Sequence, residues 1–246
     1  MKQTFGLKAG LCLAPLLMSN LYAADIEQNN EAVYTTKTEL SYSNTQGNTN
    51  TTQFGLDFHG ERKHKKNTIT LDLDALQSTS NGIEDKNKWL AVAQYDRDLT
   101  ERLFFNYIIA YGQDKFSGFD YQFNTGPGSG YKAIESENHT LDLRANALYS
   151  KDKIENGGTN EYASWVFGLN YKWQIVENLS FLEEANFKSQ FDHFENYFAV
   201  SKSTIESKIN GHFSLGMSYR IDYKNIPATG KKRTDRVFLA SLVISY

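Results

Sequence analysis

Phe191-Asp192-His193-Phe194-Glu195-Asn196 sets one imidazole among two carboxylates, the best-placed grouping in the sequence for acid–base hydrolysis. A lipase-type site needs a serine beside a histidine that a polar group orients, and a protease-type rim site needs Asp and His together. Three polar residues in a turn-forming stretch are more simply a solvated loop. The other four of the five histidines offer less. His59 lies between Asp57 and Glu61, a pattern that reads as a charge network, and "HGERKH" (59–64) lacks metal-ligand spacing. "GPGSGYK" (126–132) has the glycines of a phosphate loop without Gly-Lys-Ser/Thr in register, so it reads as a Gly-rich strand. The basic run "RKHKK" (62–66) is the composition of a solubilising hairpin cap. No catalytic, cofactor-binding or metal-ligating residue is assigned, and the chain is expected not to be an enzyme.

The elements that carry these residues follow a period of two. In "TITLDLDA" (68–75), Ile69, Leu71, Leu73 and Ala75 alternate with Thr70, Asp72 and Asp74. The same alternation runs through "HTLDLRANALYS" (139–150), "WVFGLNYKW" (165–173) and "HFSLGMSYRIDYK" (212–224). These are amphipathic strands. Two stretches are weaker: Glu183 interrupts the apolar phase of 178–191, and 196–207 has no clean phase. Gly126, Gly128 and Gly130 fall on a polar phase, where they would admit bulky neighbours or a bend. Turn-forming clusters at 44–50, 64–67, 78–85, 98–101, 116–120, 134–138, 156–160, 176–180, 191–196 and 225–233, with a weak break near 201–208, predict about twelve strands. Ahead of them, Lys2 and Lys8 precede the apolar run 9–18 and the small residues of "LYAAD", which predicts a secretory leader over 1–23 cleaved after Ala23 or Ala24. The single Cys12 falls inside it. The chain carries 26 Lys and Arg against 29 Asp and Glu, and loss of the leader's lysines makes the remainder more acidic, which disfavours nucleic acid as a partner.

Periodicity alone does not say which face is wet: a soluble barrel or sandwich turns the apolar face inward, a membrane barrel turns it to lipid. Three features favour the membrane barrel. The segments exceed ordinary globular strands. Aromatics (Tyr34, Tyr42, Trp89, Tyr95, Trp165, Trp173, Tyr223) sit near the ends of apolar phases, as interfacial girdles do. Charges concentrate on the opposite phase: Lys37, Glu39, Asp57, Asp72, Asp74, Lys88, Asp142, Arg144, Lys172, Glu184, Lys188, Arg220, Asp222 and Arg236. His59 and His212 join them on predicted lumenal positions, while His64 and His139 lie in or beside turns. Acids and bases of this kind can pair across the interior, so a narrow or closed lumen is expected. In the closing stretch, Phe238, Ala240, Leu242, Ile244 and Tyr246 form a lipid-facing stripe that ends on an aromatic, the kind of terminus barrel-assembly machinery reads.

Four stretches carry a family resemblance. They are "NTQGNTNTTQFGL" (44–56), "FSGFDYQFNTGPGSGY" (116–131), "YKWQIVENLS" (171–180) and "TGKKRTDRVFLASLVISY" (229–246). In their order and spacing the chain resembles the salt-induced outer-membrane proteins (YdiY-like), a family catalogued as a domain of unknown function. The resemblance implies a Gram-negative outer-membrane barrel and supplies no catalytic or binding residues. The expected protein is therefore a single integral outer-membrane β-barrel over 24–246, all-β and antiparallel, without cofactor. Its expected partners are lipid and the assembly machinery, and a link to salt or osmotic response comes from the resemblance alone. A narrow solute or ion channel and a rim-site hydrolase of lipid or peptide are the alternatives.

Overall fold

A computed structural model describes residues 31–45, 50–227 and 232–246. The predicted leader lies outside the described residues, as do the tips of the stretches 44–50 and 225–233. Twelve strands follow one another: β1 (Val33–Thr45), β2 (Thr51–His64), β3 (Asn67–Ser80), β4 (Ile83–Asp98), β5 (Leu103–Asp114), β6 (Phe119–Glu135), β7 (His139–Ile154), β8 (Thr159–Val176), β9 (Leu179–Gln190), β10 (Tyr197–Lys208), β11 (Phe213–Lys224) and β12 (Thr234–Ser245). Each pairs antiparallel with its sequence neighbours, and β12 returns to β1, so the sheet is a closed barrel. The seam runs from Lys37↔Ser245 to Tyr42↔Ala240. Two hydrogen bonds extend it, Thr36 N to Tyr246 O at 2.8 Å and Tyr246 N to Thr36 O at 2.9 Å. The sheet is thus closed between β1 and β12 over six residue pairs and the Thr36–Tyr246 bonds beyond them.

Turn chemistry sets the hairpins. Asn81 and Gly82 take φ of 50° and 79°, the left-handed pair of a type I′ turn between β3 and β4. Between β10 and β11 the chain turns at 209–212, where the Asn210 side chain accepts from the His212 and Phe213 amides at 2.9 and 3.0 Å. The break expected at 201–208 is thus strand, and the turn comes after it, because Asn210 and Gly211 supply the turn chemistry. The neighbouring stretch is likewise a strand over Leu179–Gln190 despite Glu183, held in register with β8 and β10 on both sides.

The alternation sorts the two faces. Directly paired residues share a face, so Phe58, Leu73 and Ala91 line one side while Asp57, Asp74 and Leu90 line the other. The outward side carries the exposed large apolar residues, among them Leu40, Ile69, Ile109, Phe167, Leu215, Met217 and Phe238. Near the end that holds neither terminus, outward aromatics run from strand to strand: Trp165–Phe187 at 5.5 Å, Phe187–Tyr197 at 5.1 Å and Tyr197–Tyr223 at 5.7 Å between ring centroids. Near the opposite end, His139 stacks with Tyr171 and Trp173 at 6.0 and 5.8 Å. This is the aromatic-banded, apolar exterior of an outer-membrane-type barrel.

Candidate functional site

An interior of charged side chains needs partners, because an isolated ion away from bulk water is costly. The inward residues meet that demand by reaching across the lumen. At mid-barrel, Lys202 from β10 contacts Glu39 of β1 at 3.4 Å and Asp57 of β2 at 3.1 Å. Arg220 from β11 donates to Asp74 of β3 at 2.7 Å and to Asp222 on its own strand at 3.0 Å. Lys88 from β4 reaches Asp222 at 2.7 Å, so strands five places apart round the barrel are bridged. Little room is left: the gap lined by Gly55, Asp57, Lys202, Arg220 and Leu239 holds about 10 Å³. That is about the smallest space that takes one water.

Behind this bridge the wall combines a small apolar cluster with a row of short side chains. Leu76, Val237 and Leu239 are buried inward-facing residues in mutual contact. Gly55, Ser41, Ser241 and Gly216 pair in one row across the seam. The short side chains in that row leave room for Leu76 and Leu239, whose Cδ1 atoms lie 3.7 Å from where a Gly55 Cβ would sit. Ser241 therefore points into the barrel and not along the lipid stripe.

Toward the end away from the termini, a second layer spans the lumen. Lys188 of β9 donates to Asn124 of β6 at 2.5 Å and to Tyr162 at 3.3 Å. Tyr162 donates to Asp152 at 2.8 Å. Lys224 of β11 lies 3.9 Å from the Phe119 ring centroid on β6 and 4.9 Å from that of Phe198, again joining strands five places apart. Toward the termini, Lys37 pairs with Glu206 at 2.6 Å, Arg144 with Asp96 at 3.3 Å and Lys132 with Asp98 at 3.1 Å. Of the glycines of β6, Gly130 makes room for a bulky lumenal neighbour, whereas Gly126 makes room for the backbone of β7. A Cβ on Gly130 would lie 2.0 Å from the Phe104 ring, and one on Gly126 would lie 2.0 Å from the Ala147 carbonyl oxygen. Pairing with β7 also lapses between Thr125 and Gly128, where Pro127 has no N–H to give.

The wall made by β8 and β9 differs. Asn170, Lys172, Glu184 and Asn186 point inward on the polar phase, yet are exposed, so the lumen has space on that side.

The histidines are dispersed. His59 faces the lumen but pairs with Asp72 at 2.6 Å, not with its sequence neighbours Asp57 or Glu61. His64 closes β2 and His139 opens β7, where its Nδ1 meets the Tyr171 hydroxyl at 2.8 Å. His212, expected in the lumen, lies in the turn before β11, with its Nδ1 3.1 Å from the Ser245 carbonyl and its ring stacked on Tyr246 at 4.9 Å. The turn residues Asn210 and Gly211 carry it past the strand end. His193 lies 3.3 Å from Glu195 and 4.0 Å from Asp192 in the loop after β9, and all three side chains are exposed. Arg236, expected among the lumenal charges, is instead paired with Ile221 and shares the outward face of Phe238. Its even number puts it in phase with the apolar stripe, a parity that the sequence itself contains.

Phe238, Ala240, Leu242 and Tyr246 are exposed on the outward face of β12 and beyond its end, and Ile244 is half-buried there. Lys202, Glu206, Asp152, Tyr162 and Lys224 are further network members, not among the charges that alternation alone singles out. The alternation Lys202–Thr204–Glu206 was the available signal, obscured because the outward phase of β10 contains Ser201, Ser203 and Ser207. Among the described residues no group of three or more His, Cys, Asp or Glu is arranged to hold a metal ion.

The fold is similar to that of solved outer-membrane proteins. The NanC porin is 9% identical, with a TM-score of 0.50 over 85% of this chain and 97% of that one. An outer membrane channel from Pseudomonas putida F1 is also 9% identical, with a TM-score of 0.51 over 89% of this chain and 96% of that one. At such identity the likeness concerns the fold alone. No curated protein matches the sequence. Residues 38–246 match the family described as "Protein of unknown function, DUF481", and the chain belongs to that family.

Proposed function

We propose that the protein is an integral β-barrel of the Gram-negative outer membrane, non-enzymatic, with a lumen held shut by its own ion pairs. The observation that carries the reading is the Lys88–Asp222–Arg220–Asp74 bridge, which joins β3 and β4 to β11 across the interior of a barrel whose exterior is apolar. The termini then lie at the periplasmic end and the loops after β1, β3, β5, β7, β9 and β11 face outward. Lipid contacts Phe238, Ala240, Leu242, Ile244 and Tyr246, and the terminal aromatic serves the assembly machinery. A role in salt or osmotic response rests on the family resemblance. Exposed His193, Asp192 and Glu195 give no oriented base, which favours a non-catalytic protein.

A narrow channel is the second reading, and the exposed inward residues along β8 and β9 favour it. Membrane fractionation with a heat-modifiability gel tests the first reading. The folded protein is expected in the outer-membrane fraction, with a mobility that changes on boiling. A boiling-independent band in the periplasmic fraction contradicts it. Liposome swelling separates the two readings: a shut lumen admits no small sugars, and a channel does.

A further inference from the structure

Glu183 breaks the apolar exterior. It faces outward on β9, in register with Tyr171 of β8 and Ser203 of β10, and Ser203 is in register with Tyr219 of β11. Ser201 Oγ donates to Glu183 Oε1 at 2.6 Å, and Ser203 Oγ donates to Oε2. An ionised carboxylate offers about four acceptor positions, so two hydroxyls leave capacity for a further donor. The level of the group is that of the aromatic band near the termini, since Tyr171 is tied to His139 at the start of β7.

Immediately beyond Ser201, toward the other end of the barrel, the exterior is hollowed. Ala185, Ala199 and Ser201 are too short to fill the face between Leu169 and Phe187 on one side and Ile221 on the other. The hollow measures about 330 Å³ and its walls are apolar. One acidic acceptor at the interfacial level and one apolar hollow running from it toward mid-membrane match the two parts of a phospholipid.

We propose that this surface is a binding site for a phospholipid with a primary ammonium headgroup. The ammonium donates to Glu183, and one acyl chain lies in the hollow over Ala185 and Ala199. Charge decides the headgroup: a carboxylate repels an anionic lipid and forms charge-assisted hydrogen bonds with an ammonium. Charge also argues against a second copy of this chain, because an isologous contact would bring Glu183 near its own copy. The inference rests on the barrel being embedded in a membrane, and the heat-modifiability of each variant checks that premise separately.

The test is native mass spectrometry of the purified barrel equilibrated with phosphatidylethanolamine and phosphatidylglycerol of identical chains. The wild-type protein is expected to retain the ethanolamine lipid about tenfold more than the glycerol lipid, the factor of one charge-assisted contact at an interface. Glu183→Gln should abolish the preference, and Ala199→Leu should lower retention of both lipids. Equal retention of the two lipids by wild type overturns the proposal, as does a preference that survives Glu183→Gln or retention that survives Ala199→Leu. A wild-type dimer that Glu183→Gln converts to monomer also overturns it and assigns the patch to a second copy.

Discussion

The two sides of the lumen are built on the same alternating strands and differ in what their inward positions reach. On the side of the seam, long cations on β10 and β11 meet carboxylates on β1, β2, β3 and β11, over a wall kept thin by Gly55, Ser41, Ser241 and Gly216. On the side of β8 and β9, Asn170, Lys172, Glu184 and Asn186 remain exposed. A polar inward phase is therefore not in itself a pore lining. On the crowded side, long cations are matched by carboxylates within reach and by short neighbours that leave them room.

The largest expected effect is on the crowded side. Arg220→Ala leaves Asp74 and Asp222 facing each other with one partner gone, and the loss of one member of such a network costs about 3–5 kcal/mol. Urea unfolding in lipid vesicles should register it as a lower midpoint. An unchanged midpoint would mean that the bridge is decoration. Gly126→Ala should cost about 1–3 kcal/mol, because the added carbon collides with the Ala147 carbonyl and not with a movable side chain. The same titration measures it, and a neutral result would show that β6 and β7 can separate without cost. On the open side, Glu184→Gln should alter stability by no more than about 0.5 kcal/mol. A loss as large as that of Arg220→Ala would erase the distinction between the two sides.

Much of the barrel was legible in the sequence. Period two with turn clusters every dozen or so residues located the strands, and Asn81-Gly82 announced its hairpin. The aromatics at phase ends placed the bands. β10 is less legible, because its outward phase holds three serines and, next to Glu183, no clean apolar stripe. The lumen was legible in composition and not in pairing. His59 sits between Asp57 and Glu61 in sequence, yet neighbours two apart on a strand do not partner it; Asp72, opposite on β3, does. Likewise nothing local to Lys88 names Asp222, since that contact depends on the curvature that brings β4 and β11 face to face. The inward apolar residues Leu76 and Val237 share their phase with charges, which hides them.

The central claim is that the Lys88–Asp222–Arg220–Asp74 bridge closes the lumen, and planar-bilayer conductance tests it most directly. Wild-type protein should insert without stable openings, and the Lys88→Ala/Arg220→Ala variant, verified as folded by heat-modifiability, should give steady channel currents. Large, stable openings from the wild-type barrel, or a folded double variant that stays silent, would contradict it.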